Sequence, residues 1–297
     1  MVSRPIRVLV DSTADIPPDL SAELGITVVP DLVHFGSETF RDGVDLSDEE
    51  FYARLETSPV HPTTSSPGAG VFAVAYRELV DAGADVVSIH PEATFSSLYS
   101  TAVLAAREIA AGRVAVVDSR QIAMGTGWLA ILAARAGRAG ANLDEVVALV
   151  EEARERVRLV AVLDTIVPLQ KSGRLGILTA LVGTLLKIKP LFAVRVGEPA
   201  LLERPRTRRK ARARLLEYIR ELAPFQELAV VHTVAWAEAQ ALADDLAAAR
   251  VHPRDRILIA QVGAAIGAHV GPRAVGICGL VTRGARSNAR ALEAGLA

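Results

Sequence analysis

Two stretches of this chain crowd hydroxyl groups together. His61-Pro62-Thr63-Thr64-Ser65-Ser66-Pro67 leads through Gly68-Ala69-Gly70 into the apolar run Val71 to Tyr76, and Thr94, Ser96, Ser97, Ser100 and Thr101 follow a second apolar segment. Hydroxyls ahead of a helix start are the chemistry of anion binding. The first-turn N–H groups have no internal partner, the helix dipole is positive there, and side-chain O–H groups add neutral donors. Capping by itself needs one hydroxyl, and the first loop carries four. A nucleophilic serine would need an adjacent base held by a third group, and no Gly-x-Ser-x-Gly elbow surrounds Ser65, Ser96 or Ser97. His269 stands in Ile266-Gly267-Ala268-His269-Val270-Gly271-Pro272-Arg273. Glycines on both sides imply close approach of the backbone to something, which leaves His269 open as a ligand contact or as a structural polar residue.

Other chemistries find less support. His34, His61, His90, His232, His252 and His269 show no ligand spacing, and one cysteine builds no thiolate site. Asp11 with Asp15 is a weak Mg²⁺ signal. The phosphate-loop and dinucleotide fingerprints are missing. Arg204 to Arg214 carries seven basic residues in eleven, a pattern that fits a solvated helix face, a docking surface for an acidic partner, or a nucleic-acid patch. No aromatic residue interleaves it. Arg206, ahead of the helix, is the member placed to point inward.

The elements that must position these residues alternate. Ile6 to Val10 reads as a buried strand ending in the polar loop Asp11 to Asp15; Pro17-Pro18 opens a helix that Gly25 closes. Strands are expected over Ile26 to Val29, Leu32 to Phe35, Asp85 to His90 and Val114 to Val117. Helices are expected after Ser47/Glu50, from the hydroxyl loop through Leu79, on to Ile109, over Gly127 to Ala136, and from Asn142/Glu145 through Val157. Such alternation means a parallel α/β sheet with covered faces, whose ligands bind beyond the carboxyl ends of the strands. The polar loops Asp11 to Asp15, Thr94 to Ser97 and Asp118-Ser119 all fall there. The second half has strands at Leu159 to Leu163, Leu191 to Val196, Leu228 to Thr233, Ile257 to Gln261 and Val275 to Val281. Its helices are expected at Arg206 to Ala223 and Glu238 to Ala249, and Gly263 to Arg273 as a glycine-rich loop. The reading is a two-domain α/β protein, with a parallel-sheet domain over 1–158 and a smaller α+β domain over 159–297.

Composition sets outer bounds. The chain has 297 residues, 51% of them hydrophobic, and a formal net charge of −1. It is long enough for sizeable cores and exerts no global pull on nucleic acid or membrane. The apolar run at the N-terminus stops at Asp11, too early for a signal peptide. The longest apolar run, Gly176 to Leu186, is about half of the roughly 20 residues that cross a bilayer. With Cys278 alone, no internal disulfide forms, which suits a reducing cytoplasm.

Seven segments, in order, resemble the DegV family: Asp11-Ser12-Thr13-Ala14-Asp15, Thr64-Ser65-Ser66-Pro67, Ser96-Ser97-Leu98-Tyr99-Ser100-Thr101-Ala102, Val117-Asp118-Ser119, Leu169-Gln170-Lys171-Ser172-Gly173-Arg174-Leu175, Arg206-Thr207-Arg208-Arg209-Lys210-Ala211 and Ile266 to Pro272. The resemblance spans almost the whole chain. It implies a bacterial protein that binds a long-chain fatty acid and presents it to a partner fatty acid kinase, which phosphorylates the carboxylate. The chain itself would be a carrier and co-substrate, without catalysis, cofactor or metal, with no nucleic-acid partner and at most transient membrane contact. By resemblance the carboxylate is held by Thr64 and Ser96, with Ser65, Ser97, His269 and Arg206 completing the cradle. Ser65 and Ser66 would also cap the following helix. Arg174, Arg208, Arg209 and Lys210 would face the kinase. The tail would occupy an apolar tunnel between the domains, with the helix of Gly176 to Leu186 as a wall or lid. This chain departs from the family pattern in Gly68 for Ser, Ser97-Leu98 for Gly-Thr, and Arg273 for Gly. A Ser96/His269 acyl or phosphoryl hydrolase is the alternative from another class.

Overall fold

The first strand, β1 (Ile6–Asp11), is buried along nearly its whole length and ends in a buried carboxylate. The computed structural model describes residues 4–284 apart from 92, 110, 175–187 and 196. After β1 the chain forms α1 (Pro18–Leu24), opened by proline and closed by Gly25 at φ 65°, and then β2 (Ile26–Val29), β3 (Leu32–Phe35) and β4 (Glu38–Arg41). Next come α2 (Asp48–Thr57), started by the Ser47/Glu50 capping box, β5 (Thr63–Ser65), α3 (Ala69–Asp81) and β6 (Asp85–His90). Then follow α4 (Leu98–Ala106), β7 (Val114–Asp118), α5 (Met124–Arg138) and α6 (Leu143–Arg154), the last started by the Asn142/Glu145 box. The expected helix through Val157 stops at Arg154, and Val157 already belongs to the next strand.

β2, β1, β6 and β7 pair in that order, all parallel. Their side chains alternate between two buried faces. Leu9 and Val86 pack on one side with Phe72 and Tyr76 of α3 and Ala102 of α4, whereas Val8, Val10, Val87 and Ile89 pack on the other with Trp128 and Leu129 of α5. The strands of the first half form a second unit as well: β4, β3 and β5 make a small antiparallel sheet.

The second half contributes β8 (Val157–Val162), α7 (Val167–Lys171), β9 (Leu191–Arg195), β10 (Glu198–Glu203) and α8 (Arg208–Leu222). Then come β11 (Phe225–His232), α9 (Trp236–Ala248), β12 (Ile257–Gln261), α10 (Ala264–Val270) and β13 (Val275–Val281). Six strands pair in the order β10-β9-β8-β13-β11-β12. β11 and β12 run parallel and the other neighbours antiparallel. The same period of two operates here: Val160, Val162, Leu191 and Ala193 belong to the core with α8 and α9, while Leu159, Ala161, Phe192 and Val194 belong to the core that contains α5. One core is therefore continuous from the parallel sheet, across α5, to the mixed sheet. Trp128 of α5 pins the layers by donating its indole N–H to the Cys278 carbonyl of β13 at 2.9 Å.

Two expectations change. The stretch Gly263 to Arg273 is a helix over Ala264–Val270 rather than a loop. Seven residues with an internal glycine have little helix tendency alone. The helix is made by tertiary caps: Asp15 Oδ1 accepts from Gly263 N at 2.9 Å, and the Asp42 carboxylate accepts from Ala264 N and Ala265 N, both at 3.3 Å. Thr64 and Ser65 lie on β5, not at a helix start, because Val33 and Leu32 of β3 pair with them. α3 begins beyond them, with Gly68 as N-cap and no side-chain cap bond, so Ser65 and Ser66 do not cap it. Arg273, where the family pattern has Gly, adopts φ 63°.

Candidate functional site

The strand order puts a switch point between β1 and β6. From β1 the chain returns to β2 on one side, and from β6 to β7 on the other, so the loops beyond these two carboxyl ends diverge and leave a crevice. A cavity of about 400 Å³ opens there, within the roughly 300–1,000 Å³ usual for small-molecule sites. Thr13 enters it from the β1 loop, and Phe95, Ser96, Ser97 and Leu98 from the segment that starts α4. Thr64, Ser65 and Ser66 come from β5 and its exit, His269 from α10. Asp118 and Ser119, at the end of the edge strand β7, are not part of the lining. Ser119 is buried and bonded to Thr126.

Thr64 and His269 meet. Thr64 Oγ1 lies 2.8 Å from His269 Nε2. Burial pushes the imidazole down to about 4, with Arg174 and His61 adding to the shift, so the ring is neutral at physiological pH. With the proton on Nε2, the ring donates to Thr64 and frees the threonine O–H for the cavity. Nδ1 is buried without a partner among the described residues, so none of their carboxylates orients this histidine as in a catalytic triad. The glycines around it are explained by protein rather than ligand. A Cβ on Gly267 would sit 2.5 Å from Tyr52 Oη, and one on Gly271 2.6 Å from Pro168 Cγ.

The serines divide. Ser96 Oγ accepts from Leu98 N at 3.2 Å, which leaves its own proton to donate. Ser97 Oγ is 2.8 Å from Ser66 Oγ, so one of these hydroxyls donates to the other and only the acceptor's proton is left to give. Ser65 Oγ is 2.9 Å from His34 Nε2.

The basic residues are redistributed. Arg174, expected on a docking face, lines the cavity and is half-buried. Arg206, expected to point inward, is exposed and is not part of the lining. It sits in the turn before α8 and no strand carries it toward the crevice. Arg208 is held by Asp164 and Glu238, so its charge is matched within the fold. Arg209 and Lys210 are exposed. The run Gly176 to Leu186 lies outside the described residues.

Sequence reasoning passed over Asp31, which lines the cavity while only 3% exposed. The signal was a carboxylate directly after Pro30, between two apolar strands. Asp11 and Asp42 lie close by, with Asp15 and Asp48 beside Asp42, and burial raises the pKa of Asp15, Asp31, Asp42 and Asp48. Among the described residues no cluster has the make-up of a metal site.

The rest of the lining is apolar. Phe192 and Val194 project from one face of β9, Leu163 follows β8, and Ile266 and Val270 come from α10. Ile122 and Leu169 complete it. A polar cluster thus adjoins a hydrocarbon-lined space walled by both sheets, which suits an amphiphile with a small anionic head.

Among the described residues no helix is long and apolar enough to cross a membrane. A family model described as "Uncharacterised protein, DegV family" matches residues 5–281. A DegV domain-containing protein of Streptomyces coelicolor is 38% identical over 286 residues, covering 93% of this chain and 98% of that one. Protein DegV of Bacillus subtilis is 33% identical over 279 residues, covering 92% and 98%. In structure the chain is similar to a fatty-acid-binding DegV family protein from Thermus thermophilus, with TM-score 0.86, 30% identity, and coverage of 94% and 100%. It is likewise similar to the fatty acid binding protein DegV of Bacillus subtilis, with TM-score 0.84, 30% identity, and coverage of 94% and 100%. The motifs, the mixed α/β architecture and these likenesses agree, and the chain belongs to the DegV family.

Proposed function

We propose that this chain binds a long-chain fatty acid and presents its carboxylate to a partner fatty acid kinase for acyl-phosphate formation. The observation that carries the reading is the Thr64–His269 pair, 2.8 Å apart, opening on a largely apolar cavity of about 400 Å³. In this reading the carboxylate takes donors from Thr64 and Ser96, and Arg174 supplies the counter-charge. Charge-assisted hydrogen bonds are the strong ones. The tail lies along Leu163, Phe192, Val194 and Ile266, each buried CH₂ contributing about 0.8 kcal/mol. Lining residues come from both 1–158 and 159–297, which supports a tunnel between two domains divided near 158. The chain acts as carrier, and chemistry belongs to the kinase. Against a Ser96/His269 hydrolase, His269 Nε2 is engaged by Thr64 and Nδ1 has no acceptor among the described residues. Exposed Arg209 and Lys210 offer the docking charge.

Mass spectrometry of the purified chain should find a copurifying fatty acid. Thr64→Ala with Ser96→Ala should abolish that binding and leave the melting temperature nearly unchanged; a double variant that still carries lipid sinks the assignment. Arg209→Glu with Lys210→Glu should slow acyl-phosphate formation by the kinase at unaltered fatty-acid affinity, and an unaltered rate would remove the docking role.

A further inference from the structure

Asp31 is a buried carboxyl group in the wall of a site built for an anion. Its backbone is fixed on both sides: Asp31 N donates to Ser12 Oγ at 3.1 Å, and its carbonyl accepts from Asp42 N at 2.9 Å. The β3–β5 register carries Leu32 opposite Ser65, so Asp31 stands one position beyond, level with Ser66. That puts it on the hydroxyl side of the cavity. Its Oδ2 is buried and has no hydrogen-bond partner among the described residues.

An ionised carboxylate here would face both a negatively charged ligand and its own neighbours. Asp11 approaches from β1 and Asp42 from beyond β4, and Asp15 and Asp48 adjoin Asp42 in turn. Asp11 and Asp42 are better supplied with hydrogen bonds. Asp11 accepts from Thr13 N, the Thr13 hydroxyl and His90 Nδ1. Asp42 accepts two backbone N–H bonds and Asp15 one, while Asp48 has Gln261. Asp31 has only the Ser12 hydroxyl, which Asp42 shares. Hydrogen bonds to the charged form favour ionisation, and burial beside like charges opposes it. Burial therefore favours a proton on Asp31, as it does on Asp15, whose Oδ2 also lacks a partner among the described residues; of the two, Asp31 lines the cavity. The cations of the cavity lining are Arg174, which follows α7, and, when protonated, His269 of α10.

We propose that Asp31 is a ligand-binding residue, holding a proton on its unpartnered carboxyl oxygen and donating it in a hydrogen bond to the fatty-acid carboxylate. This rests on the fatty-acid reading of the same cavity. The head group would then be held by a hydroxyl, a neutral carboxylic acid and a guanidinium, and the site would reject anions once Asp31 ionises. No bond breaks; one proton is shared between two carboxyl groups.

The test is the dissociation constant of palmitate, measured by calorimetry from neutral to alkaline pH, for the wild-type chain and for Asp31→Asn. Asparagine keeps a donor in place and cannot ionise. Wild-type affinity should fall by about tenfold per pH unit above the pH at which Asp31 loses its proton. Asp31→Asn should match the wild type at neutral pH within about threefold and show no alkaline loss. Methyl palmitate, which has no charge to repel, should bind the wild type independently of pH. Calorimetry of the wild type in two buffers of different ionisation enthalpy should show proton uptake with palmitate in the falling range, a readout that needs no variant. Palmitate bound with the same pH profile in both chains, or without proton uptake, overturns the role of Asp31 and leaves the fatty-acid reading standing. A wild-type chain that binds no fatty acid at any pH overturns both.

Discussion

Two places in this molecule carry the same chemical groups with opposite consequences. In the heart of the parallel sheet, Asp11 Oδ2 lies 2.7 Å from His90 Nδ1, and His90 Nε2 lies 2.7 Å from Ser88 Oγ, which also accepts from the Tyr76 hydroxyl at 2.8 Å. The connectivity, carboxylate to imidazole to serine, is that of a catalytic triad. Yet Asp11, His90, Ser88 and Tyr76 are all fully buried, and Phe72 stands edge-on to the imidazole. Nothing reaches the serine. At the crevice, Thr64 and His269 form a shorter chain that opens on a cavity and leaves donor capacity unspent. Residue type does not make a site; access and unsatisfied hydrogen-bonding capacity do. The inner chain is a structural polar network, costly to interrupt.

The sharpest way to break this comparison is His90→Leu. It strands the buried Asp11 Oδ2 and removes one of the Ser88 partners, and stability in urea should fall by about 2–5 kcal/mol. Unchanged stability with lost lipid binding would reverse the assignment of the two regions. Thr64→Val should do the opposite: palmitate affinity drops about 10- to 100-fold, the value of a hydrogen bond to a charged group, and the melting temperature stays within a few degrees. A third effect follows from the imidazole. Between about 4 and the ordinary 6.5 the folded chain holds fewer protons at His269 than the unfolded chain does. Acidification through that range therefore favours unfolding, and stability should decline as pH falls below 6.5. His269→Gln should flatten that part of the profile, and an unchanged slope would place the ring in water. The smallest effects concern the arginines. Arg174→Gln should weaken binding by about three- to tenfold with a marked salt dependence, whereas Arg206→Gln should change it by less than about twofold. Equal losses would return Arg206 to the cradle.

How far the sequence reached depends on the range of the interaction. The strands Ile6–Asp11 and Asp85–His90, the Ser47 and Asn142 capping boxes and the Pro18-to-Gly25 helix are written in local periodicity and turn chemistry, and they stand where that chemistry puts them. That Ser96 reaches the crevice also follows from placing a hydroxyl loop at the end of β6, whereas Thr64 and His269 were tied to it only by the family pattern. α10 and β5 could not be read this way. The first exists because Asp15 and Asp42 cap it from another part of the chain, and the second because β3 pairs with it.

The amino-acid order alone thus determined the α/β class, the strand-end loops that bear hydroxyls, and the family pattern, since each is carried by neighbours within a few residues. Tertiary structure decided which of the polar residues face empty space. It sealed His90 beneath Phe72, turned Arg174 into the cavity and left Arg206 outside, and buried Asp31 against its fellow carboxylates. The reason is physical: burial and the charge of a neighbour are set by chain segments far apart in sequence, and these govern whether a given side chain is spent on the fold or left free to bind.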